Sequence, residues 1–376
     1  MPIMDELVSA AARLRDVVKT ATVGLVGREQ LAELILLSAV AREHLLVIGP
    51  PGTAKSAVVR RVAGLMGGRY FEYLLGRFTE PAELFGPVDL RRLREGRVET
   101  DVTGMLPEAD VAFLDEVFLG STAILNTLLG VLNERRFRRG HTDVACPLRV
   151  CVGAANSLPE DESLAAFADR FLLRLFVAPV ADSELEALLE GGWRAEQAST
   201  QDMHMLGDLD LLAERVLSVD LDGIRAPLAD AVRQLRKAGL SLSDRRIVRT
   251  QRLIAAATVL AGRCVATRAD LWPLFYVLPS TEAQLAAQEA LRDSLQIAAN
   301  PTLSAAAELA AQQPASRVDR LVHAARACLQ AGGEDTSRTL AEALLREIDA
   351  NFVVAAIPEV LAVERTRLVA HVSVSA

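Results

Sequence analysis

The sequence lacks the segments that mark a membrane-inserted or exported protein. No uninterrupted apolar run reaches about 18 residues, which is the length that a membrane-spanning helix needs. No basic region followed by an apolar region opens the chain, which begins instead with the acidic residues Asp5 and Glu6. We therefore expect a protein that is neither inserted nor secreted, and we place it in the cytoplasm.

Cysteine and basic residues are also scarce. The four cysteines among 376 residues lack CxxC spacing, which fits a reducing compartment and small buried apolar side chains. The 41 lysines and arginines are outnumbered by 49 aspartates and glutamates, for a net charge of −8. A nucleic-acid partner is disfavoured, because it would need a local basic patch on an acidic chain.

What is present describes a globular chain in two parts. With 51% hydrophobic and 24% charged residues, the length predicts roughly two or three domains. Short apolar runs alternate with helical patterns over residues 26–180, which predicts an α/β fold with a parallel sheet. Strands are expected at 45–48, 111–114 and 148–152, a fourth is expected around 173–177, and an apolar stripe at helical period covers 124–132.

The texture changes near residue 181 to segments rich in alanine, leucine, arginine and glutamate, which predict helices. We divide the chain into an N-terminal helix (1–20), an α/β core (21–182), a connector (183–222) whose clearest part is the glycine-, glutamine-, serine- and threonine-containing stretch at 191–210, a helical domain (223–300) and a mainly helical C-terminal extension (301–376). Helical patterns at 317–330 and 338–349 lie in the extension. The β-branched tail at 360–374 indicates no role.

A phosphate-binding loop follows the first predicted strand and opens a helix. Residues 49–56 read Gly-Pro-Pro-Gly-Thr-Ala-Lys-Ser, which is the P-loop pattern except that Ala54 stands where glycine is usual. In such a loop backbone N–H groups cradle phosphates, Lys55 reaches the β- and γ-phosphate oxygens, and Ser56 ligates Mg²⁺. The expected ATP-binding residues here are Gly49, Pro50, Pro51, Gly52, Thr53, Ala54, Lys55, Ser56 and Ala57.

Two further strands end on polar side chains suited to ATP hydrolysis. Asp115 and Glu116 follow four apolar residues; Asp115 would hold Mg²⁺ through water and Glu116 would polarise the attacking water as a general base. Asn156 ends the third strand, where an amide can orient water without adding charge. A solvated Asp-Glu pair and a turn-forming asparagine are the alternatives.

With these motifs, the chain resembles AAA+ ATPases of the MoxR family, nearest their RavA-like branch. The matching stretches are Val26-Gly27-Arg28-Glu29, the P-loop, and the motifs at 78–87, 104–109, 123–129 and 133–137. Alanine at position 54 is also typical of this branch. The resemblance implies a P-loop core, a helical lid at 223–300 matched mainly by residues 243–246, and an ATP hydrolase that uses Mg²⁺.

The resemblance also implies roles for individual residues. Val26 and Gly27 resemble the segment that packs on adenine, and Asn156 resembles the sensor 1 residue. Arg245 resembles sensor 2, an arginine that the lid lays over the γ-phosphate. Arg170 resembles the arginine finger that is donated into the neighbouring subunit's site, with Arg174 as second choice. An ordinary ion-paired arginine is the alternative for each of the three.

A finger supplied to a neighbour requires a heterologous contact that closes into a ring, and the family implies a homo-hexamer. It also implies a von Willebrand factor A-domain (vWA) partner and a protein client, hence a remodelling or maturation co-chaperone. A nucleic-acid-dependent motor and a low-turnover ATP-dependent switch are the alternatives. Two basic clusters are expected to be ion-paired or to contact a partner: Arg91, Arg92, Arg94 and Arg97, and Arg135, Arg136, Arg138 and Arg139.

Overall fold

The computed structural model describes residues 2–197, 204–311 and 357–374, with short helical pieces between 321 and 349. The first half contains α1 (Pro2–Thr22), α2 (Glu29–Ala41), β1 (Leu45–Ile48), α3 (Lys55–Met66), β2 (Tyr70–Leu74), α4 (Pro81–Phe85), α5 (Leu90–Arg94), β3 (Val111–Asp115), α6 (Thr122–Glu134), β4 (Arg136–Arg139), β5 (Thr142–Ala145), β6 (Val150–Ala155), α7 (Glu162–Ala168) and β7 (Leu173–Phe176). The second half contains α8 (Leu185–Gln197), α9 (Leu206–Val216), α10 (Asp222–Lys237), α11 (Asp244–Leu260), α12 (Pro273–Tyr276), α13 (Thr281–Ala290), α14 (Arg292–Leu295), α15 (Ser304–Ala311) and α16 (Glu359–Val374).

Five strands form one parallel sheet in the order β2-β3-β6-β1-β7. Every residue of β1 and β6 is buried, as expected for central strands of a parallel sheet that helices cover on both faces. The predicted α/β class is confirmed. The sequence patterns missed β2, an edge strand in which no residue is fully buried.

Each face of the sheet has its own apolar core. On one face α1, α2, α3, α9 and α11 pack together. On the other face lies α6, whose residues Ile124, Leu128 and Val131 are fully buried. The β4–β5 hairpin follows α6 directly and pairs antiparallel. The functional side chains described below sit at the two ends of the strands, between these layers.

The predicted connector is mostly helical. Gly191 and Gly192 lie inside α8 and residues 206–210 belong to α9, whereas 198–203 lie outside the described residues. The stretch at 191–210, expected as a connector, therefore begins and ends in helix. Glycine weakens helical propensity, and α9 contains Gly207, but it buries Leu209 and Leu212 against α1, α2 and α11, and this packing overrides the weak local preference.

The helical domain is continuous with the start of the extension. Tyr276 donates a hydrogen bond to the carbonyl of Ala306 in α15 (2.8 Å), and Glu33 of α2 accepts from the N–H groups of Ala305 and Ala306 (3.1 and 2.6 Å). Residues 304–311 thus pack into the main core. The remaining domain boundaries stay predictions.

The tail at 360–374, for which the sequence indicated no role, forms α16. The helical patterns at 317–330 and 338–349 lie largely outside the described residues. Among the helices that the structure describes, none is long and apolar enough to cross a membrane.

Candidate functional site

The P-loop connects β1 to α3 at the carboxyl end of the strands. Gly52 and Ala54 both have positive φ (79° and 60°), a conformation that costs alanine about 1 kcal/mol or more. Gly49 passes so close to β7 that a Cβ placed on it would lie 2.2 Å from the carbonyl oxygen of Val177. The backbone therefore approaches β7 as only glycine allows, and it forms a turn before the helix N-terminus.

Lys55 is buried at the first position of α3. Its Nζ donates to the carbonyls of Gly49 (2.7 Å) and Pro50 (2.9 Å). Burial lowers the pKa of Lys55, while Asp115 and Glu116 act in the opposite direction. The ammonium thus lies inside the loop, facing the two carboxyl groups at the end of β3.

Arg28 is a residue of this site to which the sequence patterns assigned no role, although it lies in the matching stretch at 26–29. It is buried and donates to the carbonyls of Gly27 (2.8 Å), Thr53 (2.8 Å) and Ala178 (3.1 Å). One guanidinium therefore ties the segment of Val26 and Gly27 to the P-loop and to the chain after β7. Burial lowers the pKa of Arg28.

The acidic pair and Asn156 meet beside the P-loop. Asp115 ends β3, and Glu116 takes a left-handed conformation (φ 50°) that turns its side chain away from the strand direction. Asn156, directly after β6, donates from Nδ2 to Oε1 of Glu116 at 2.5 Å. Asp115 Oδ1 accepts the N–H of Glu116 (3.0 Å). The structure thus brings Lys55, Asp115, Glu116 and Asn156 together at the carboxyl ends of the strands, which we call the P-loop edge of the sheet.

Arg170 lies at the amino ends of the strands, which form the opposite edge of the sheet from the P-loop. It precedes β7, whose first residue Leu173 is in register with Leu45, the first residue of β1. The P-loop follows the last residue of β1, so a strand of four residues, about 13 Å long, separates the two ends. Nε of Arg170 is buried, and among the described residues it has no hydrogen-bond partner.

Arg245 lies at the same edge as Arg170. Its guanidinium donates to Oδ1 of Asn133 near the end of α6 (2.8 Å). That end of α6 adjoins the start of β1, because His44 Nε2 contacts the carbonyl of Leu132 (2.9 Å). The sensor 2 resemblance implies that Arg245 lies over this chain's own P-loop, but the structure places it elsewhere. The strands of the sheet lie between Arg245 and the P-loop.

Arg174, the second choice for the finger, is buried inside its own chain. It donates to the carbonyl of Pro279 (2.6 Å), and its own carbonyl accepts from Gln284 (3.1 Å). Burial lowers its pKa to about 10. A guanidinium bonded at the junction of β7 with the helical domain is not free to reach a neighbour, and Arg170 stays our first choice for the finger as a prediction.

Arg246 has the richest set of contacts near Arg170, and the sequence analysis assigned it no role. It is buried and donates to Oδ1 of Asp169 (2.6 Å) and to the carbonyl of Leu172 (2.8 Å), with a longer contact to the carbonyl of Phe171 (3.5 Å). It also donates to the carbonyl of Val277 (2.6 Å). Arg246 thus fastens the backbone on both sides of Arg170 to helix α11.

Four of the eight arginines in the two basic clusters, Arg92, Arg97, Arg136 and Arg138, form ion pairs within the described chain. Arg92 pairs with Glu95 (3.3 Å) and Glu99 (3.5 Å), and Arg136 pairs with Asp143 (2.9 Å). Arg138 pairs with Glu134 and with Asp143. Arg135 is half-buried, and burial lowers its pKa to about 10. These pairs favour the ion-paired alternative over a nucleic-acid patch.

Comparisons with known proteins can now be set beside this geometry. A family described as "MoxR domain in the MoxR-vWA-beta-propeller ternary systems" matches residues 12–214. This chain belongs to the MoxR family. The match covers α1 to α9, which includes the P-loop, the acidic pair, Asn156 and Arg170 but not Arg245 or Arg246.

Individual relatives agree with this assignment. An uncharacterised protein of Methanocaldococcus jannaschii is 35% identical over 246 residues, which is 65% of each chain. Chaperone MoxR1 of Mycobacterium tuberculosis is 29% identical over 195 residues, half of each chain. The match therefore spans between half and two thirds of these relatives. A crystal structure from Cytophaga hutchinsonii, described as a candidate ATPase, shares the fold with a TM-score of 0.62 at 16% identity, covering 79% of this chain and 97% of that one.

Proposed function

We propose that this MoxR-family protein is a cytoplasmic Mg-ATP-hydrolysing ring ATPase of the RavA-like branch, acting as a protein-remodelling or maturation co-chaperone with a vWA partner. The observation that carries the proposal is the division of the site. Lys55, Asp115, Glu116 and Asn156 lie at one edge of the sheet, and Arg170 and Arg245 lie at the other. Two such halves meet only when two copies of the chain pack head to tail, and a repeated head-to-tail contact closes into a ring.

The residues at the P-loop edge fit ATP and Mg²⁺. Gly49, Gly52 and Ala54 give the loop the close approach and positive φ of a phosphate cradle, and Lys55 is buried within it. Ser56 would supply an oxygen ligand for Mg²⁺, and Asp115 would hold the ion through water. When bound, Mg²⁺ neutralises the charge that develops on the transferred phosphoryl group.

Hydrolysis is assigned to groups of this chain and to the neighbour's arginines. Glu116 accepts the proton of the attacking water, and the amide of Asn156, bonded to Glu116, orients both. Val26 and Gly27, held to the loop by Arg28, receive the adenine. Arg170 of the next copy supplies the planar, permanently charged fork that stabilises the transition state. Arg245 lies at the same edge as Arg170, so we assign it too to the neighbour's ATP.

The family and its relatives support the biological part of the proposal. The matched family is described from systems that combine MoxR with vWA and β-propeller proteins, and one relative is named a chaperone. The ion pairs within the basic clusters speak against a nucleic-acid motor. We take the protein to act on proteins, with a hexamer as the family's assembly.

The rate of ATP hydrolysis per subunit, measured against protein concentration with Mg²⁺, tests the proposal. We expect the rate to rise with concentration until rings are complete, and a vWA partner to change it. Lys55→Ala should abolish ATP binding, whereas Glu116→Gln should bind ATP and stall. Equal turnover by Glu116→Gln and wild type would refute the assignment of the base, and full activity in a confirmed monomer would refute the shared site.

A further inference from the structure

Helix α8 presents an apolar stripe that nothing else in the described chain covers. Leu185, Leu188, Leu189 and Trp193 recur at i, i+3, i+4 and i+8, one face of a helix. All four side chains are exposed, Leu189 by 74% and Trp193 by 69%. Four large apolar side chains on one exposed helix face are typical of a binding surface rather than of scattered surface residues.

The opposite side of α8 fixes its position beside the nucleotide site. A Cβ placed on Gly191 would lie 2.7 Å from the carbonyl oxygen of Gly24, two residues before Val26. The helix therefore runs against the segment assigned to adenine, and Arg28 holds that segment to the chain just after β7. The stripe thus borders the half of the site to which a neighbouring copy must bring Arg170.

The edge that carries Arg170 and Arg245 is complementary to α8 in charge and character. Acidic residues Glu184 and Glu186 lie in or next to α8, and the single basic residue of the helix, Arg194, pairs with Glu190 (2.6 Å). The face of α11 that carries Arg245 also carries Val248, one turn later and 63% exposed. An acidic helix with an apolar stripe and a basic edge with an exposed apolar residue lie at opposite ends of one chain, as a head-to-tail contact requires.

We propose that the stripe of α8 is a ring interface and that its occupant is a second copy of this chain, seated through the edge formed by Arg170, Arg245 and Val248. The proposal rests on the ring of the proposed function and specifies which surface closes it. Apolar contact beside the adenine segment would make assembly and nucleotide binding depend on one another.

Trp193 makes the proposal directly measurable. The chain has two tryptophans, and the other, Trp272, is fully buried. In the full-length chain with Mg²⁺ and a slowly hydrolysed ATP analogue, the emission maximum should therefore shift to shorter wavelength as protein concentration rises. The midpoint of this shift should coincide with the midpoint of assembly measured by light scattering. Trp193→Phe should assemble without the shift.

Leu189→Glu tests the energetic contribution of the stripe. We expect it to raise the concentration at which rings form by about tenfold or more, since buried apolar anchors dominate interface energies. The matched control is Leu217→Glu, at an exposed leucine (82%) after α9, which should leave assembly unchanged. Affinity for the ATP analogue, measured by calorimetry on dilute protein, should be retained in both variants and shows that they are folded.

Each contrary outcome is distinct. Rings that form while Trp193 emission stays unchanged would overturn this inference and leave the proposed ring intact. Emission already at short wavelength in dilute monomer would mean that another segment of the chain covers the stripe, and a shift caused only by an added vWA protein would assign the stripe to that partner; either result overturns the proposal. No assembly at any concentration would overturn both the stripe and the ring.

Discussion

Replacing Arg246 with glutamine should nearly abolish ATP turnover although Arg246 lies at the edge of the sheet away from the P-loop. Arg246 holds the backbone of Asp169, Phe171 and Leu172 to α11, and Arg170 is the residue between them. Without the Arg246 guanidinium, residues 169–172 lose their attachment to α11 on both sides of Arg170, the proposed finger. We expect kcat to fall and the affinity for ATP to stay the same.

The size of the effect follows from the bonds that are lost. Hydrogen bonds from a charged donor contribute ~1.5–3 kcal/mol each, and Arg246 makes three short ones, to Asp169 (2.6 Å), Leu172 (2.8 Å) and Val277 (2.6 Å). A glutamine side chain can keep one of these three bonds. Burying the guanidinium also costs free energy, as the lowered pKa of Arg246 shows, so removing the charge offsets part of the loss of the other two bonds. A net loss of ~3 kcal/mol lowers the equilibrium constant for holding Arg170 in place by roughly 100-fold.

The assay is ATP turnover at a protein concentration where rings are complete, with ATP affinity measured separately. The matched control is Arg249→Gln on the same helix. Arg249 also joins α11 to the core, through buried Glu43 (2.9 Å), but no bond recorded for it reaches the backbone around Arg170. We expect Arg249→Gln to lower stability while keeping most of the turnover.

Mixing variants separates a misplaced finger from a general folding defect. Glu116→Gln subunits hydrolyse nothing themselves but donate an intact Arg170 into the site of an Arg246→Gln neighbour, whose own Glu116 is intact. Mixed rings should therefore regain part of the activity. Wild-type kcat in Arg246→Gln alone, or no recovery in confirmed mixed rings, would refute the reasoning.

Three other perturbations test the fold and the loop. Gly49→Ala should weaken ATP binding at least tenfold in calorimetry, because its Cβ would lie 2.2 Å from the Val177 oxygen, whereas Gly64→Ala, with open space around it, should not; equal affinities would contradict the close approach. Arg28→Gln should weaken ATP binding about tenfold with assembly unchanged, since the loop loses its bond at the Thr53 carbonyl; wild-type affinity would remove Arg28 from the site. Burial raises the pKa of Glu33 to about 7, so the stability that it contributes is present below about pH 4.5 and is lost as pH rises through 7, by up to ~3 kcal/mol. Urea midpoints from pH 5 to 8 should fall less in Glu33→Gln, and parallel curves would refute the titration.

The hydrolytic half of the site could be predicted because its residues follow buried strands. Lys55, Asp115 and Asn156 each come within a few residues of an apolar run, and the carboxyl ends of parallel strands meet at one edge. Local sequence therefore fixes both the residue and its place. The strand β2 escaped prediction for the opposite reason: it is a half-exposed edge strand with Glu72 at its centre, and it carries no buried-strand pattern.

The arginines that fasten the site could not be predicted in this way. Arg28 bonds a carbonyl 150 residues away along the chain, and Arg246 bonds carbonyls 31 and 74 residues away. Their partners are main-chain carbonyls, which every sequence offers equally, so no residue pattern indicates the pairing. The position of Arg245 could not be predicted from the sequence for a related reason. A motif identifies the residue, but it does not indicate which end of the strands the helix that carries it reaches.

The attachment of Arg170 to α11 suggests a route by which the nucleotide sites of neighbouring copies are coupled in the proposed ring. Arg245 and Arg246 are adjacent on α11, and Arg246 holds the segment of Arg170, so all three arginines are attached to one helix. The same helix packs against α2 and α9 behind the sheet, and α2 begins one residue after Arg28, which bonds the P-loop. A shift of the loop therefore has a hydrogen-bonded and packed route to Arg170, the residue that we propose as the finger for a neighbouring copy. Coupling by this route requires α2 and α11 to shift together as a rigid pair, so loosening the Arg246 attachment should uncouple successive sites in the ring before it affects ATP binding in any one of them.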